Sequence, residues 1–167
     1  MRPSTLESLQ ESLSIWKEWV ESEAPKCNIA SGMVGEIQGK IHLLEYLLGE
    51  YRRHGIGLTL KHHERDFWGI LLPDATEPNR FRWQGFQRDG FTGHCTYDSA
   101  ELCIGDMLDS GLCIVDLCAL DRLSCTLEWE RGMAIVAVIQ ASNAGLISWD
   151  EANQKHAEIV ARYGKAA

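Results

Sequence analysis

An Asp-Gly step between two runs of alternating aromatic and polar residues constrains this chain more than any other feature. Arg80-Phe81-Arg82-Trp83-Gln84-Gly85-Phe86-Gln87 leads into Arg88-Asp89-Gly90, and Phe91-Thr92-Gly93-His94-Cys95-Thr96-Tyr97 follows. Glycine reaches positive φ without a Cβ clash, so this step predicts a tight β-hairpin. Strict alternation turns Phe81, Trp83, Phe91, Cys95 and Tyr97 inward, towards a helix that begins near Ser99. It turns Arg80, Arg82, Gln84, Thr92, His94 and Thr96 outward. Those six polar side chains on rigid strands form the candidate binding surface.

The flanks of the hairpin read as helices. Ser4 with Glu7 makes a capping box ahead of Leu6, Leu9, Leu13, Trp16 and Val20, and Pro25 stops that helix. A second helix is expected from about Ser31 to His54, with Gly55 as its C′ residue. Gly35, Gly39 and Gly49 inside it cost stability, and close packing of one helix on another, within the chain in the first place or between two chains, is the expected reason for them. Gly57 to Lys61 and Asp66 to Leu72 read as strands. Asp98 with Glu101 opens a helix that Gly111 ends. Leu112 to Val115 reads as a short strand and Ala119 to Ser124 as a helical turn. Thr126 caps a helix to about Ser142. Ser148 with Glu151 caps a last one striped by Trp149, Ala152, His156, Ile159, Val160 and Tyr163. The expected fold is α+β: residues 1–55 an N-terminal helical pair, 56–116 a small antiparallel sheet of three to four strands with a packed helix, and 117–167 a C-terminal helical hairpin. One compact domain accommodates all three.

Charge narrows the choice of partner. The 167 residues carry a formal net charge of −8. Residues 51–96 hold 7 basic and 5 acidic side chains; residues 1–50 hold 4 and 8, and residues 97–167 hold 5 and 11. A basic sheet region thus lies between acidic helical flanks, a balance that works against polyanions and anionic lipid. The longest apolar run, Met133 to Ile139, is a third of a bilayer span. No pattern of a secretory signal opens the sequence, so the cytoplasm is the expected location and the six cysteines are expected as reduced, mostly buried thiols.

Catalytic and metal chemistry find little purchase. Lys61-His62-His63-Glu64 is the densest polar cluster, but adjacent histidines on a strand point to opposite faces. A zinc site joining one of them to His94 and Cys95 lacks any Cys-x-x-Cys or His-Glu-x-x-His spacing. Cys95 beside His94 is subject to the same opposition of faces. The acids Asp106, Asp109, Asp116, Asp121, Glu128 and Glu130 are irregularly spaced and read as a solvated face. No enzyme, metal or cofactor is expected.

The segment from Trp83 through Arg88-Asp89-Gly90 to Thr96-Tyr97-Asp98-Ser99-Ala100-Glu101 resembles the three-stranded-sheet-plus-helix modules of phage integrase arm-binding domains and plant ethylene-response DNA-binding domains. The likeness covers some thirty residues and implies DNA reading through the sheet face. Those modules are strongly basic; this chain is acidic. Gly93 to Met133, with Ala119-Leu120-Asp121-Arg122-Leu123-Ser124 and Glu128-Trp129, resembles small accessory proteins of bacterial mobile elements. The expected function is a small acidic, non-catalytic binding protein, an accessory factor of a phage or plasmid that binds and inhibits a host or defence protein. The alternatives are nucleic-acid binding by the 80–97 hairpin face and a metal- or thiol-dependent enzyme.

Overall fold

A computed structural model describes residues 3–23 and 28–164. Pro25 and Cys27 lie outside the described residues. Five antiparallel strands form the centre: β1 (Thr59–His62), β2 (Trp68–Pro73), β3 (Phe81–Gln87), β4 (Gly90–Tyr97) and β5 (Leu112–Val115), in the order β4-β3-β2-β1-β5. The sheet is larger than the three to four strands expected, because the short segments at 59–62 and 112–115 both join it, paired at Leu60–Val115, Lys61–Ile114 and His62–Leu112.

Helices α1 (Leu6–Glu23), α2 (Asn28–His54) and α3 (Ala100–Asp109) cover one face. Ile37, Ile41, Leu44 and Leu48 recur at helical spacing along α2 and join Leu58, Leu60, Leu71, Trp83, Ile104 and Met107 in the main core. The capping box of α1 sits one residue later than expected. Thr5 and Ser8 exchange hydrogen bonds, the Ser8 amide to Thr5 Oγ1 at 3.1 Å and the Thr5 amide to Ser8 Oγ at 3.0 Å. Ser4 is thereby free to clasp α3: its amide and hydroxyl both donate to the Asp109 carboxylate at 2.8 Å. Lys40 of α2 pairs with the same carboxylate. The N-cap of α3 is Ser99, not Asp98, and its hydroxyl accepts from the Leu102 amide at 3.2 Å. Glu101 instead accepts from the Leu6 amide. The chain passes so close here that a Cβ on Gly105 would fall on the carbonyl oxygen of Ser4.

Helices α4 (Ala119–Ser124) and α5 (Leu127–Asn143) lie on the other face, and α6 (Trp149–Gly164) folds back along α5. Trp129 at the start of α5 enters a second core with Trp68, Ile70, Phe86 and Ala119. Its ring meets Phe86 edge-on at 6.1 Å and Phe91 at 5.1 Å, a favoured aromatic geometry. Gly132 lets α5 cross the hairpin turn, since a Cβ there would fall on the Asp89 carbonyl oxygen. By contrast, nothing stands within 4 Å of a Cβ at Gly35, Gly39 or Gly49, so close helix packing within the chain is not the reason for those glycines.

Candidate functional site

The hairpin forms as its sequence dictates, with Gln87 paired to Gly90 and Gly90 at φ 127. The alternation then breaks. Gln84 pairs with His94 and Phe86 with Phe91, so two steps along β3 match three along β4. The extra residue is a β-bulge, which reverses the faces beyond it. Phe91 therefore packs on Phe86 and Trp129 beneath α5, not beneath α3. Thr92 turns the other way: its Oγ1 and the Phe67 ring crowd the Cβ position of Gly85, and Phe67 stands edge-on to Trp83 in the main core. The six expected surface residues thus do not share one face.

Most of those that remain are engaged. Arg80 pairs with Glu77 at 2.9 Å, and Asp98 lies 3.0 Å from its Nε, close in charge but off the N–H axis. The Gln84 amide donates to the carbonyls of Thr92 at 2.8 Å and Gly93 at 3.1 Å, filling the groups the bulge leaves unpaired. Thr96 donates to Asp74, whose carboxylate also accepts from the Thr76 and Glu77 amides and is held far below the usual carboxylate range by those bonds. Arg82 is half-buried with its Nε shielded and unpaired, and His94 is exposed. Arg88 and Lys61 both pair with Asp66. Arg53, Lys61, Arg80 and Arg88 thus each pair with an acid, whereas among the described residues Arg52, Arg65 and Arg82 form no ion pair.

Three of the acids are engaged, Asp109 with Ser4 and Asp106 and Asp116 as anchors for tryptophan, while Asp121, Glu128 and Glu130 are exposed as expected. Trp83 Nε1 donates to Asp106 at 2.7 Å and Trp68 Nε1 to Asp116 at 3.0 Å, while Arg122 pairs with Asp116 at 2.8 Å. Asp106 also faces Tyr97, Cys95 and Cys103. Burial first and this carboxylate second push the Cys103 thiol up to about 12, and burial likewise raises Cys95. Thiols in that setting stay protonated at neutral pH and make poor nucleophiles. Cys95, Cys118 and Cys125 are exposed, against the expectation of mostly buried thiols, and Cys103 is buried. His62 is buried and stacked on His63 at 4.6 Å. Its Nδ1 accepts from the Glu64 amide at 3.0 Å, and its Nε2 abuts Gly111. Burial, with the charge of His63 behind it, holds its pKa down. Among the described residues no group of three or more His, Cys, Asp or Glu is placed to hold a metal ion.

In comparisons with known proteins, no family model, curated protein or solved structure matches this chain.

One surface stands apart from these satisfied clusters. Between α5 and α6 runs a groove of about 220 Å³, lined by Ile135, Val138, Ile139, Trp149, Ala152 and His156. Leu146 is 78% exposed and Trp149 67%, with Ile139 and Val160 at 47% each. The stripe read on α6 is thus buried only at Ala152. The groove is smaller than the roughly 300–1,000 Å³ of small-molecule pockets and suits a protruding side chain. Its signal was present in the sequence: an unbroken apolar run from Met133 to Ile139 on a helix with only one further helix to cover it.

Proposed function

We propose that this chain is a non-catalytic binding protein that recognises another protein through the α5–α6 hairpin. The observation that carries the reading is the apolar groove that Ile135, Val138, Ile139 and Trp149 line on a well-capped helical pair, with Leu146 in the turn and Val160 on α6 also exposed. Tryptophan concentrates binding energy at protein interfaces. The net charge of −8 and the acidic partners of Arg80 and Arg88 support a protein partner over nucleic acid. A host or defence protein, inhibited by an accessory factor of a mobile element, is the partner class to seek first.

A photo-cross-linking residue at position 149, introduced in the native cell, tests the reading. Discrete protein adducts are expected, absent when the cross-linker is moved to exposed Asp121. DNA binding with a steep salt dependence, abolished by Arg82→Ala, together with no adduct at 149, would overturn it in favour of the hairpin face.

A further inference from the structure

The hydrogen bonds around His62 and His63 fix where their protons sit. The Glu64 amide donates to His62 Nδ1 at 3.0 Å, so that nitrogen holds a bare lone pair. His63 Nδ1 lies 3.0 Å from the Gly111 carbonyl oxygen, which only accepts, so that nitrogen carries its proton. The His63 amide donates to the same oxygen at 3.1 Å. Both rings abut the turn between α3 and β5. At Gly111, with φ 83, a Cβ would stand 2.7 Å from His62 Nε2 and 3.2 Å from His63 Cε1.

We propose that this pair is a pH-sensitive latch, which holds the β1–β2 loop against the α3–β5 turn and releases it in mild acid. A proton on His62 Nδ1 sets N–H against N–H and abolishes the bond to Glu64. The ring has no room to adjust, because His63 stacks on it at 4.6 Å and Gly111 closes its Nε2 edge. His63, by contrast, can take a second proton in place, since its Nε2 faces the Glu64 carboxylate at 3.6 Å. Burial of His62 disfavours its cation, as do the charges of His63 and Arg65, while Glu64 opposes them. Those three groups belong to its own loop. The elements packed against it present Gly111 and, in register on β5, Leu112, neither of which titrates. His62 is the buried anchor of a run, His63 to Asp66, that is otherwise exposed. The base of the loop stays fixed, because Asp66 pairs with Lys61 and Arg88, and those bonds hold its carboxylate below the usual range. Release is therefore local.

The sign follows from linkage. In the released loop His62 has its ordinary value of 6.5, and in the latched loop a lower one. The released population is constant above 6.5 and rises about tenfold per pH unit below it, until the latched value is reached. Amide exchange of the full chain, followed by NMR from about pH 8 to about pH 5, tests this. Protection of the His63 and Glu64 amides is expected to fall by that factor, while the Leu71 amide, bonded to Leu58 across the sheet, keeps its protection. His62→Asn sets an oxygen where Nδ1 stands, and is expected to keep the protection but lose its pH dependence. His63→Phe keeps the stack without a charge, and the dependence should remain. Protection that does not change with pH overturns the proposal, as does a loss shared equally by Leu71; neither outcome requires a variant. A dependence that survives His62→Asn overturns it too.

Discussion

The N-terminal and C-terminal helical pairs are both antiparallel hairpins packed on one sheet, yet they treat their apolar residues differently. In α2, Leu44 and Leu47 are fully buried, and Ile37, Ile41 and Leu48 nearly so. The pair is clasped to α3 by Ser4, Lys40 and Glu101, and it leaves Ile15, Trp19, Val20, Ile29 and Tyr46 exposed on its outer surface. α5 and α6 together bury only Trp129 and Ala152. The lesson is that apolar content does not decide what a helix does; the number of neighbours that its layer supplies decides it. α2 lies between α1 and α3, whereas α5 has α6 and an edge of the hairpin.

Substitutions that remove large buried side chains should separate the two pairs most sharply. Leu44→Ala is expected to cost about 3–5 kcal/mol in denaturant unfolding, and Ile139→Ala less than about 1 kcal/mol. Equal losses would break the contrast. In the sheet, Trp83→Ala should likewise cost roughly 3–5 kcal/mol, and Arg82→Ala well under 1 kcal/mol.

Glycines sharpen the comparison by sign. Gly105→Ala and Gly132→Ala each drive a methyl onto a backbone carbonyl and should destabilise by about 1–3 kcal/mol, the first by prising α1 from α3 and the second by lifting α5 from the hairpin. Gly39→Ala, open on all sides within α2, should stabilise by about 0.5–1 kcal/mol. A loss at position 39 would reveal packing that the open space does not provide.

Much of this was legible in the sequence, for local reasons. Thr126, Ser148 with Glu151, Gly55 and Gly111 mark helix ends through bonds and dihedrals that involve only near neighbours. The β3 alternation put Phe81 and Trp83 on the core side because pleating is local too. The bulge was not legible: Gly85 and Gly93 fit a regular strand equally well, and only cross-strand pairing reveals which strand holds the extra residue. Thr92 and Phe91 exchanged faces for that reason. The roles of Asp106, Asp109 and Asp116 were hidden because their partners, Trp83, Ser4 and Trp68, are distant in sequence. The candidate surface on α5–α6 was half visible, as an apolar run whose lack of cover depends on the tertiary layer.

Smaller effects come from titration. His62 is held below its ordinary value of 6.5 in the folded chain, so the unfolded chain binds the extra proton first. Stability is expected to be complete above that value and to fall as pH drops below it; His62→Gln should flatten the slope in urea melts followed across the acid range. Thiol counting gives the mildest signal. Cys118 and Cys125 should react promptly in the native protein, Cys95 more slowly because its thiol stays protonated, and Cys103 only after unfolding. Prompt reaction of Cys103 would mean that the sheet and α3 separate readily.

Hydrogen exchange tests the central claim most directly, that α2 is held by its layer while α5 and α6 are left open. Amides of α2 around Leu44 and Leu47 should exchange slowly, near the rate set by global unfolding. Those of α5 beyond its first turns, and of α6 between Ala152 and Val160, should exchange markedly faster through local opening. Equal protection of the two regions would contradict the account.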